Sequence, residues 1–265
     1  MSNPAYISRL QDMKRSRQKI ACLTAYDASF SRVLEQAGID VVLVGDSLGM
    51  VLQGEANTLK VTMEDMIYHT RLASKGLQHT LLVADMPVNS YANPELALSN
   101  ANRLISESGA AMVKLEGGSE ILQQIHKLQQ SGIATCGHLG LQPQSVQKYG
   151  GYKVQGRNSR DAERILADAV ALEQAGVSMI VLECIPRSLA AKISAAISIP
   201  TIGIGAGPDC DGQILVLYDV IGISGYIPKM ANDFLQQGGN LGTAVRQYIQ
   251  AVKTGTFPTA AQSFD

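Results

Sequence analysis

Short runs of apolar, mostly β-branched residues recur along the chain, and longer segments with helical periodicity separate them. This alternation is typical of parallel strands that are buried on both faces and connected by helices. Eight runs are predicted to be strands: Ile20–Tyr26, Val41–Gly45, Leu81–Ala84, Met112–Leu115, Ile133–Gly137, Met179–Leu182, Thr201–Ile204 and Ile214–Leu217.

The segments between these runs predict helices, several of which begin at a capping residue and end before a glycine. They are Asp27–Ala37, Thr62–Lys75, Pro94–Ser108, Ser119–Gln130, Ser159–Ala175, Ser188–Ala196 and, near the end of the chain, Gly242–Val252. Leu10 and Met13, with basic residues beside them, predict a further helix before the first strand.

Eight parallel strands close naturally into a barrel, whereas a doubly wound open sheet usually carries a glycine-rich dinucleotide turn after its first strand. Asp27-Ala28-Ser29 stands at that position instead. We therefore predict an α/β protein with a (β/α)8 TIM barrel and an extra N-terminal helix. Because no linker, repeat or low-complexity tract divides residues 1–265, we expect a single domain.

The longest irregular stretch, residues 139–158, follows the fifth predicted strand. Long loops in compact domains usually serve function, so this stretch predicts a loop over the site.

Composition argues against several classes of partner. The chain has 22 basic and 23 acidic residues, so no net field attracts nucleic acid or anionic lipid. No apolar run approaches the roughly 18 residues of a membrane span, and the first residues do not have the pattern of a signal peptide. We expect a cytoplasmic protein. Four scattered cysteines predict neither a zinc site nor a redox pair, and three of them are interpreted as small core residues in strands.

Polar residues lie at the carboxyl ends of five consecutive predicted strands, which is the end of a TIM barrel that carries the active site. The ionisable ones are Asp46, Asp85, Lys114, Glu116, His138 and Glu183, with His138 expected just after strand five. Such groups are costly to bury without partners, so pairing through a metal and a lysine is expected. A set of three carboxylates without a histidine pair, drawn from these residues, favours a hard cation such as magnesium.

A magnesium ion at this end of the barrel could chelate a 2-oxo acid and promote formation of its enolate. Lys114 would then neutralise the remaining carboxylate charge, and Glu183 would serve as general acid or base.

Structural alternatives exist for most of these residues. Asp46 and Asp85 could cap the helices that follow them. Lys114 could form a salt bridge inside the barrel without any ligand, and His138 could be a core histidine bonded to a neighbouring carbonyl. The glycine-rich segment 202–207 could bind phosphate after strand seven, or could allow close packing at the rim of the barrel.

Several motifs occur in a fixed order along the chain: Thr24–Asp27, Val44–Met50, Val113–Gly118, Gly137–Leu141, Gly150–Arg157, Leu182–Cys184, residues 203–207 and Asp211–Gln213. Together they resemble the ketopantoate hydroxymethyltransferase family from about residue 6 to the C-terminus. The resemblance implies transfer of a hydroxymethyl group from 5,10-methylenetetrahydrofolate to 3-methyl-2-oxobutanoate. The product is 2-dehydropantoate, in pantothenate and coenzyme A biosynthesis, and it forms through a magnesium-stabilised enolate.

The resemblance also assigns roles to residues by matching motif. Asp46 and Asp85 would bind magnesium directly, and Glu116 would support the metal. The residues that would contact the keto acid are Asp46, Ser47, Asp85, Lys114 and His138. Glu183 would be the catalytic acid or base. The family further implies a barrel of the phosphoenolpyruvate/pyruvate type and a homodecamer of two stacked pentamers.

Two other functions are compatible with such a barrel. One is a magnesium-dependent lyase or mutase of the same barrel group, which would form an enolate but need no folate. The other is a catalytically silent binding or assembly protein that uses the barrel as a scaffold. The ionisable residues at the strand ends argue against the silent protein, and exchange of the substrate C3 proton would distinguish it from the enzymes.

Overall fold

The computed structural model describes residues 3–148 and 150–265. Within these residues eight parallel strands form a closed barrel in chain order, with the last strand paired to the first. The strands are β1 (Ile20–Thr24), β2 (Val41–Val44), β3 (Leu81–Asp85), β4 (Met112–Glu116), β5 (Thr135–Gly140), β6 (Met179–Glu183), β7 (Thr201–Ile204) and β8 (Gly212–Leu215). The predicted (β/α)8 fold class is confirmed.

The α-helices of the described residues are α1 (Asn3–Arg15), α2 (Ala28–Ala37), α3 (Leu48–Val51), α4 (Met63–Ser74), α5 (Pro94–Ser108), α6 (Leu122–Gln130), α7 (Ser159–Gln174), α8 (Arg187–Ala196), α9 (Leu217–Val220), α10 (Leu235–Gly238) and α11 (Leu241–Lys253). Short 3-10 helices cover Ser119–Ile121, Pro143–Ser145 and Ala260–Gln262. The side chains of Asp27, Asn93, Asn158 and Asn240 cap α2, α5, α7 and α11 by accepting backbone N–H groups.

Strand β5 differs from its prediction. It was expected at Ile133–Gly137 but runs from Thr135 to Gly140, so the prediction that His138 follows the strand is wrong. Backbone pairing with β6 continues past the apolar run, because Leu139 pairs with Leu182 and Gly140 with Glu183. His138 therefore projects from within the strand.

Other strand boundaries shift for similar reasons. β3, β4 and β6 each extend by one residue beyond the apolar run, so that Asp85, Glu116 and Glu183 are strand residues. β1 ends at Thr24, two residues before the predicted end. β8 begins and ends two residues earlier than predicted, because Leu217 starts α9 with its N–H donated to the Thr24 hydroxyl, 3.0 Å away.

Two apolar clusters hold the barrel. The larger one fills the space between the strands and the surrounding helices. The smaller one fills the lumen, and Tyr6, Leu10 and Met13 of α1 belong to it. The predicted N-terminal helix thus closes the amino-terminal end of the barrel. This apolar plug leaves the opposite end of the lumen, where the strands terminate, for polar residues.

The four cysteines are free and buried. Cys22 and Cys136 lie in β1 and β5, whereas Cys184 directly follows β6 and Cys210 lies between β7 and β8. Two cysteines lie in strands, so the expectation of three is wrong. No helix in residues 3–148 and 150–265 has the length and apolar character needed to cross a membrane.

Candidate active site

The carboxyl ends of β2, β3 and β4 bring four predicted site residues into contact. The Lys114 ammonium donates a hydrogen bond to Asp85 Oδ1 at 2.5 Å, and its Nζ lies 4.0 Å from Glu116 Oε1. The backbone N–H of Asp46 donates to the other oxygen of Asp85 at 3.0 Å. Lys114 and Glu116 are two apart in β4, and alternate residues of a strand share one face. Their shared face is the lumen.

His138 links this group to Glu183. Its Nδ1 lies 3.3 Å from Glu116 Oε1 and its Nε2 lies 3.2 Å from Glu183 Oε2. The contacts fall outside hydrogen-bond geometry, so neither ring nitrogen has a hydrogen-bond partner among residues 3–148 and 150–265. The alternative that His138 is a core histidine bonded to a carbonyl is therefore not observed. Instead, the imidazole stands between two carboxylates.

Burial distinguishes Glu183 from the other charged groups. The side chains of Asp85, Lys114 and Glu116 are 2–4% exposed, while that of Glu183 is 14% exposed. Glu183 is therefore the carboxylate of this group that a ligand entering from the mouth can reach most easily.

The backbone around Glu183 is tightly constrained. Gly140 has φ +93°, and a Cβ at this position would lie 2.2 Å from the Glu183 carbonyl oxygen. That close approach lets the N–H of Leu141 donate to the same oxygen at 2.9 Å. Cys184, next in sequence, has φ +46°, a left-handed conformation that non-glycine residues seldom adopt. Such strain concentrates at functional sites.

The neighbouring charges shift the pKa values of the site residues. Burial, together with the negative charges of Asp85 and Glu116, raises the pKa of Asp46 well above its usual range. Burial alone would lower the pKa of Lys114, but the surrounding carboxylates raise it, so the ammonium keeps its charge. Burial and Lys114 would lower the pKa of His138, but its two carboxylate neighbours raise it to about 9.

Ser47 lies at the half-buried rim beside these charges. Its hydroxyl is 2.9 Å from the phenol of Tyr26, a residue that the sequence placed in a motif but not in the site. Ser47 is also the residue before α3, and Asn93 caps α5. Helix capping by Asp46 or Asp85 is therefore not observed, and the side chain of Asp85 is engaged by Lys114 and Asp46 instead.

Sequence reasoning missed Gln144, which lies in the 3-10 helix Pro143–Ser145. Its backbone N–H donates to Glu116 Oε2 at 3.0 Å, and its side-chain amide donates to Asp46 Oδ2 at 2.9 Å. The predicted loop 139–158 thus reaches the site, although Tyr149 within it lies outside the described residues. The position of the loop was the only signal, since glutamine has no ionisable group to attract notice.

Asp46, Asp85 and Glu116 are the residues that could hold a divalent cation. In residues 3–148 and 150–265, no three histidine, cysteine or acidic side chains already form a set of metal ligands. Magnesium needs only one or two protein carboxylates, because it keeps several waters. The donor chemistry fits: three carboxylates surround one ammonium, and the buried Glu116 Oε1 has no hydrogen-bond partner in the described residues.

We expect Lys114→Met to destabilise the metal-free protein by about 3–5 kcal/mol, because it leaves buried carboxylates without their cation. The matched control is Lys60→Met, since Lys60 is 73% exposed and pairs with Glu55 at 2.7 Å. An exposed pair contributes about 1 kcal/mol or less. Urea unfolding in EDTA measures both variants, and equal losses would contradict the buried charge pairing.

The glycine-rich segment after β7 packs closely against other parts of the chain. A Cβ on Gly205 would lie 2.9 Å from the ring of Phe264, and one on Gly207 would lie 2.5 Å from Cβ of Arg187. Both glycines have positive φ. The structure thus supports the packing alternative for this segment.

Comparisons with known proteins identify the family of this chain. A family model described as ketopantoate hydroxymethyltransferase matches residues 5–260. The chain is 54% identical over 258 residues to the 3-methyl-2-oxobutanoate hydroxymethyltransferase of Shewanella loihica, with 97% of each chain covered.

Solved structures support the barrel type. A 2,3-dimethylmalate lyase of the PEP mutase/isocitrate lyase superfamily has a TM-score of 0.61 at 17% identity, over 100% of this chain and 99% of that one. A phosphonopyruvate hydrolase in complex with oxalate and Mg++ has a TM-score of 0.63 at 12% identity, over 99% and 93%. At these identities the likeness concerns the fold. The family model and the high identity to a full-length relative show that this chain belongs to the ketopantoate hydroxymethyltransferase family.

Proposed function

We propose that this protein transfers a hydroxymethyl group from 5,10-methylenetetrahydrofolate to 3-methyl-2-oxobutanoate and forms 2-dehydropantoate. The observation that carries the proposal is the continuous series of contacts from Asp46 to Glu183 at the carboxyl end of the barrel. It occurs in a chain whose family membership rests on nearly its full length.

In this proposal Asp46 and Asp85 bind magnesium directly, and Glu116 supports the ion. When bound, magnesium would polarise the keto and carboxylate oxygens of the 2-oxo acid and make its C3 proton more acidic. Lys114, held in the charged form, and Ser47 at the half-buried rim would bind the substrate oxygens. Charged donors in a site that excludes water orient a substrate strongly.

Glu183 is the proposed general base. Its side chain is the most accessible carboxylate of the series, and its oxygen lies 3.2 Å from His138. His138 would line the substrate pocket and orient Glu183. Removal of the C3 proton by Glu183 would give the enolate, whose C3 would bond to the methylene carbon carried by the folate. Both bonds from that carbon to folate nitrogens would break, and the oxygen of water would take their place as the hydroxyl. Tetrahydrofolate would leave with the C3 proton on one nitrogen and a proton of water on the other.

Proton exchange and condensation can be measured separately. With magnesium, the purified protein is expected to exchange the C3 hydrogen of 3-methyl-2-oxobutanoate for solvent deuterium, which proton NMR follows. 2-Dehydropantoate should appear only after 5,10-methylenetetrahydrofolate is added. EDTA should stop both reactions.

Other outcomes favour other functions. Exchange without condensation would favour a lyase or mutase related to the solved barrels. The absence of magnesium-dependent exchange would favour a silent binding protein.

The proposal extends to cell location and assembly. We propose one domain over the whole chain, a cytoplasmic location and a homodecamer of two stacked pentamers. Membership of the family supports both the location and the assembly.

A further inference from the structure

Gln144, in the loop after β5, contacts residues at the ends of three strands. Its amide nitrogen donates to Asp46 Oδ2 and to the carbonyl of Met86, each at 2.9 Å. Its backbone N–H donates to Glu116 Oε2 at 3.0 Å. Met86 directly follows Asp85, so Gln144 touches the surroundings of all three proposed metal-binding carboxylates.

The orientation of the amide is determined by its partners. A carboxylate and a main-chain carbonyl only accept hydrogen bonds, so the nitrogen of the amide must face Asp46 and Met86. Oε1 then faces the hydroxyl of Tyr91, which donates to it at 2.6 Å. The same hydroxyl lies 3.3 Å from the carbonyl oxygen of Glu116.

Tyr91 is itself anchored. Gln124 of α6, which is buried, donates its side-chain amide to the Tyr91 carbonyl at 3.1 Å. Asn100 of α5 donates to the carbonyl of the preceding residue, Ser90, at 2.7 Å. The phenol therefore projects from a segment tied to two helices. This anchoring gives the Gln144 amide a fixed partner on the side opposite Asp46.

Gln144 donates to one oxygen of each of two carboxylates, through its side-chain amide and its backbone N–H. The amide binds Oδ2 of Asp46, and the Gln144 backbone binds Oε2 of Glu116, while Glu116 Oε1 has no hydrogen-bond partner in the described residues. Hydrogen bonds of this kind set the plane of a ligating carboxylate and raise metal affinity. From these contacts we propose that Gln144, locked by Tyr91, is a positioning residue that orients Asp46 and Glu116 for the divalent cation.

This inference rests on the proposed metal-dependent function, and a metal-binding measurement separates the two. Titration with Mn²⁺, followed by the electron paramagnetic resonance of the free ion, reports affinity without any turnover. Gln144→Leu is expected to weaken Mn²⁺ binding by about 10- to 100-fold, as loss of a hydrogen-bond partner of a metal ligand typically does. Gln147→Leu, an exposed position three residues later in the same loop, should bind Mn²⁺ like the wild type.

Tyr91→Phe removes the hydrogen bond from the Tyr91 hydroxyl to Gln144 but keeps the Gln144 amide. It should weaken Mn²⁺ binding less than Gln144→Leu, and the double variant should bind no more weakly than Gln144→Leu, because the phenol acts through the amide. The free energy of unfolding, measured with urea in EDTA, should change little for Gln144→Leu. If Gln144 had only a structural role, the substitution would lower the free energy of unfolding and leave the affinity for Mn²⁺ unchanged.

Several outcomes would overturn the inference. Wild-type affinity in Gln144→Leu would do so, and so would an equal loss in Gln147→Leu. If Gln144→Leu does not fold, wild-type affinity in Tyr91→Phe would overturn it. If the wild-type protein itself binds no Mn²⁺, the proposed metal site fails and the positioning role fails with it.

Discussion

Glu183→Gln is expected to lower the rate of C3 proton exchange and kcat by about 10²- to 10⁴-fold, the usual contribution of a positioned general base. Glutamine has nearly the shape of glutamate but cannot accept the proton as a carboxylate does. Because Glu183 lies beyond His138 and shares no contact with Lys114 or Asp85, binding of magnesium and keto acid should persist. Deuterium exchange by NMR and calorimetric titration with the keto acid measure the two effects.

The matched control is Glu163→Gln, an exposed glutamate on α7. It should leave exchange and condensation at the wild-type rate. Unchanged exchange in Glu183→Gln would remove Glu183 from the acid or base role. A parallel loss of keto acid binding would instead assign Glu183 to substrate binding.

Asp46→Asn is expected to abolish magnesium-dependent exchange while the barrel stays folded. Asparagine keeps the size of the side chain but loses the negative charge that a magnesium ligand needs. The pKa of Asp46 is raised by burial and by Asp85 and Glu116, so its ionised form costs free energy in the metal-free fold. Removing that charge should leave the metal-free protein as stable as the wild type, or more stable.

Thermal unfolding with and without magnesium checks this expectation. Magnesium should raise the Tm of the wild type, because a ligand that binds only the folded state stabilises it, and it should not raise that of Asp46→Asn. Asp209→Asn, at an exposed position between β7 and β8, is the control and should respond as the wild type does. A magnesium-dependent rise in Tm for Asp46→Asn would contradict its role as a metal ligand.

The carboxylates that the proposed function needs at this end of the barrel therefore reduce the stability of the fold. Three carboxylates surround one lysine, and at least one of them is unfavourable when ionised in the absence of a cation. The same charges would bind magnesium and orient the keto acid. Lys114 serves both stability and function, because it offsets the carboxylates and remains charged for the substrate.

The sequence predicted the barrel because the same pattern recurs along the chain. An apolar run predicts a strand, a segment with helical periodicity follows it, and a glycine often ends the helix. Pro94–Ser108 was predicted with both ends as observed, since Asn93 caps the helix and Gly109 ends it. The strand ends were less accurate. Backbone pairing extends strands past their apolar residues, as it does for His138 in β5.

The ionisable residues of the candidate site were predicted, because charged groups at the ends of five consecutive buried strands are costly to bury unless they pair with one another or with a ligand. Asp46, Asp85, Lys114, Glu116, His138 and Glu183 all lie at the carboxyl end of the lumen. Gln144 and Tyr91 could not be identified in the same way. They are neutral loop residues of types common on any surface, and only their distances to the carboxylates mark them.

The amino-acid sequence by itself determined the strand order, the family and the set of charged groups, since these depend on local pattern and residue type. The tertiary structure decided which charges touch, because contacts between β2, β3, β4, β5 and β6 depend on strand register and on the barrel closing. It also decided which oxygens are left without partners, because that depends on how the loop after β5 folds back over Asp46 and Glu116.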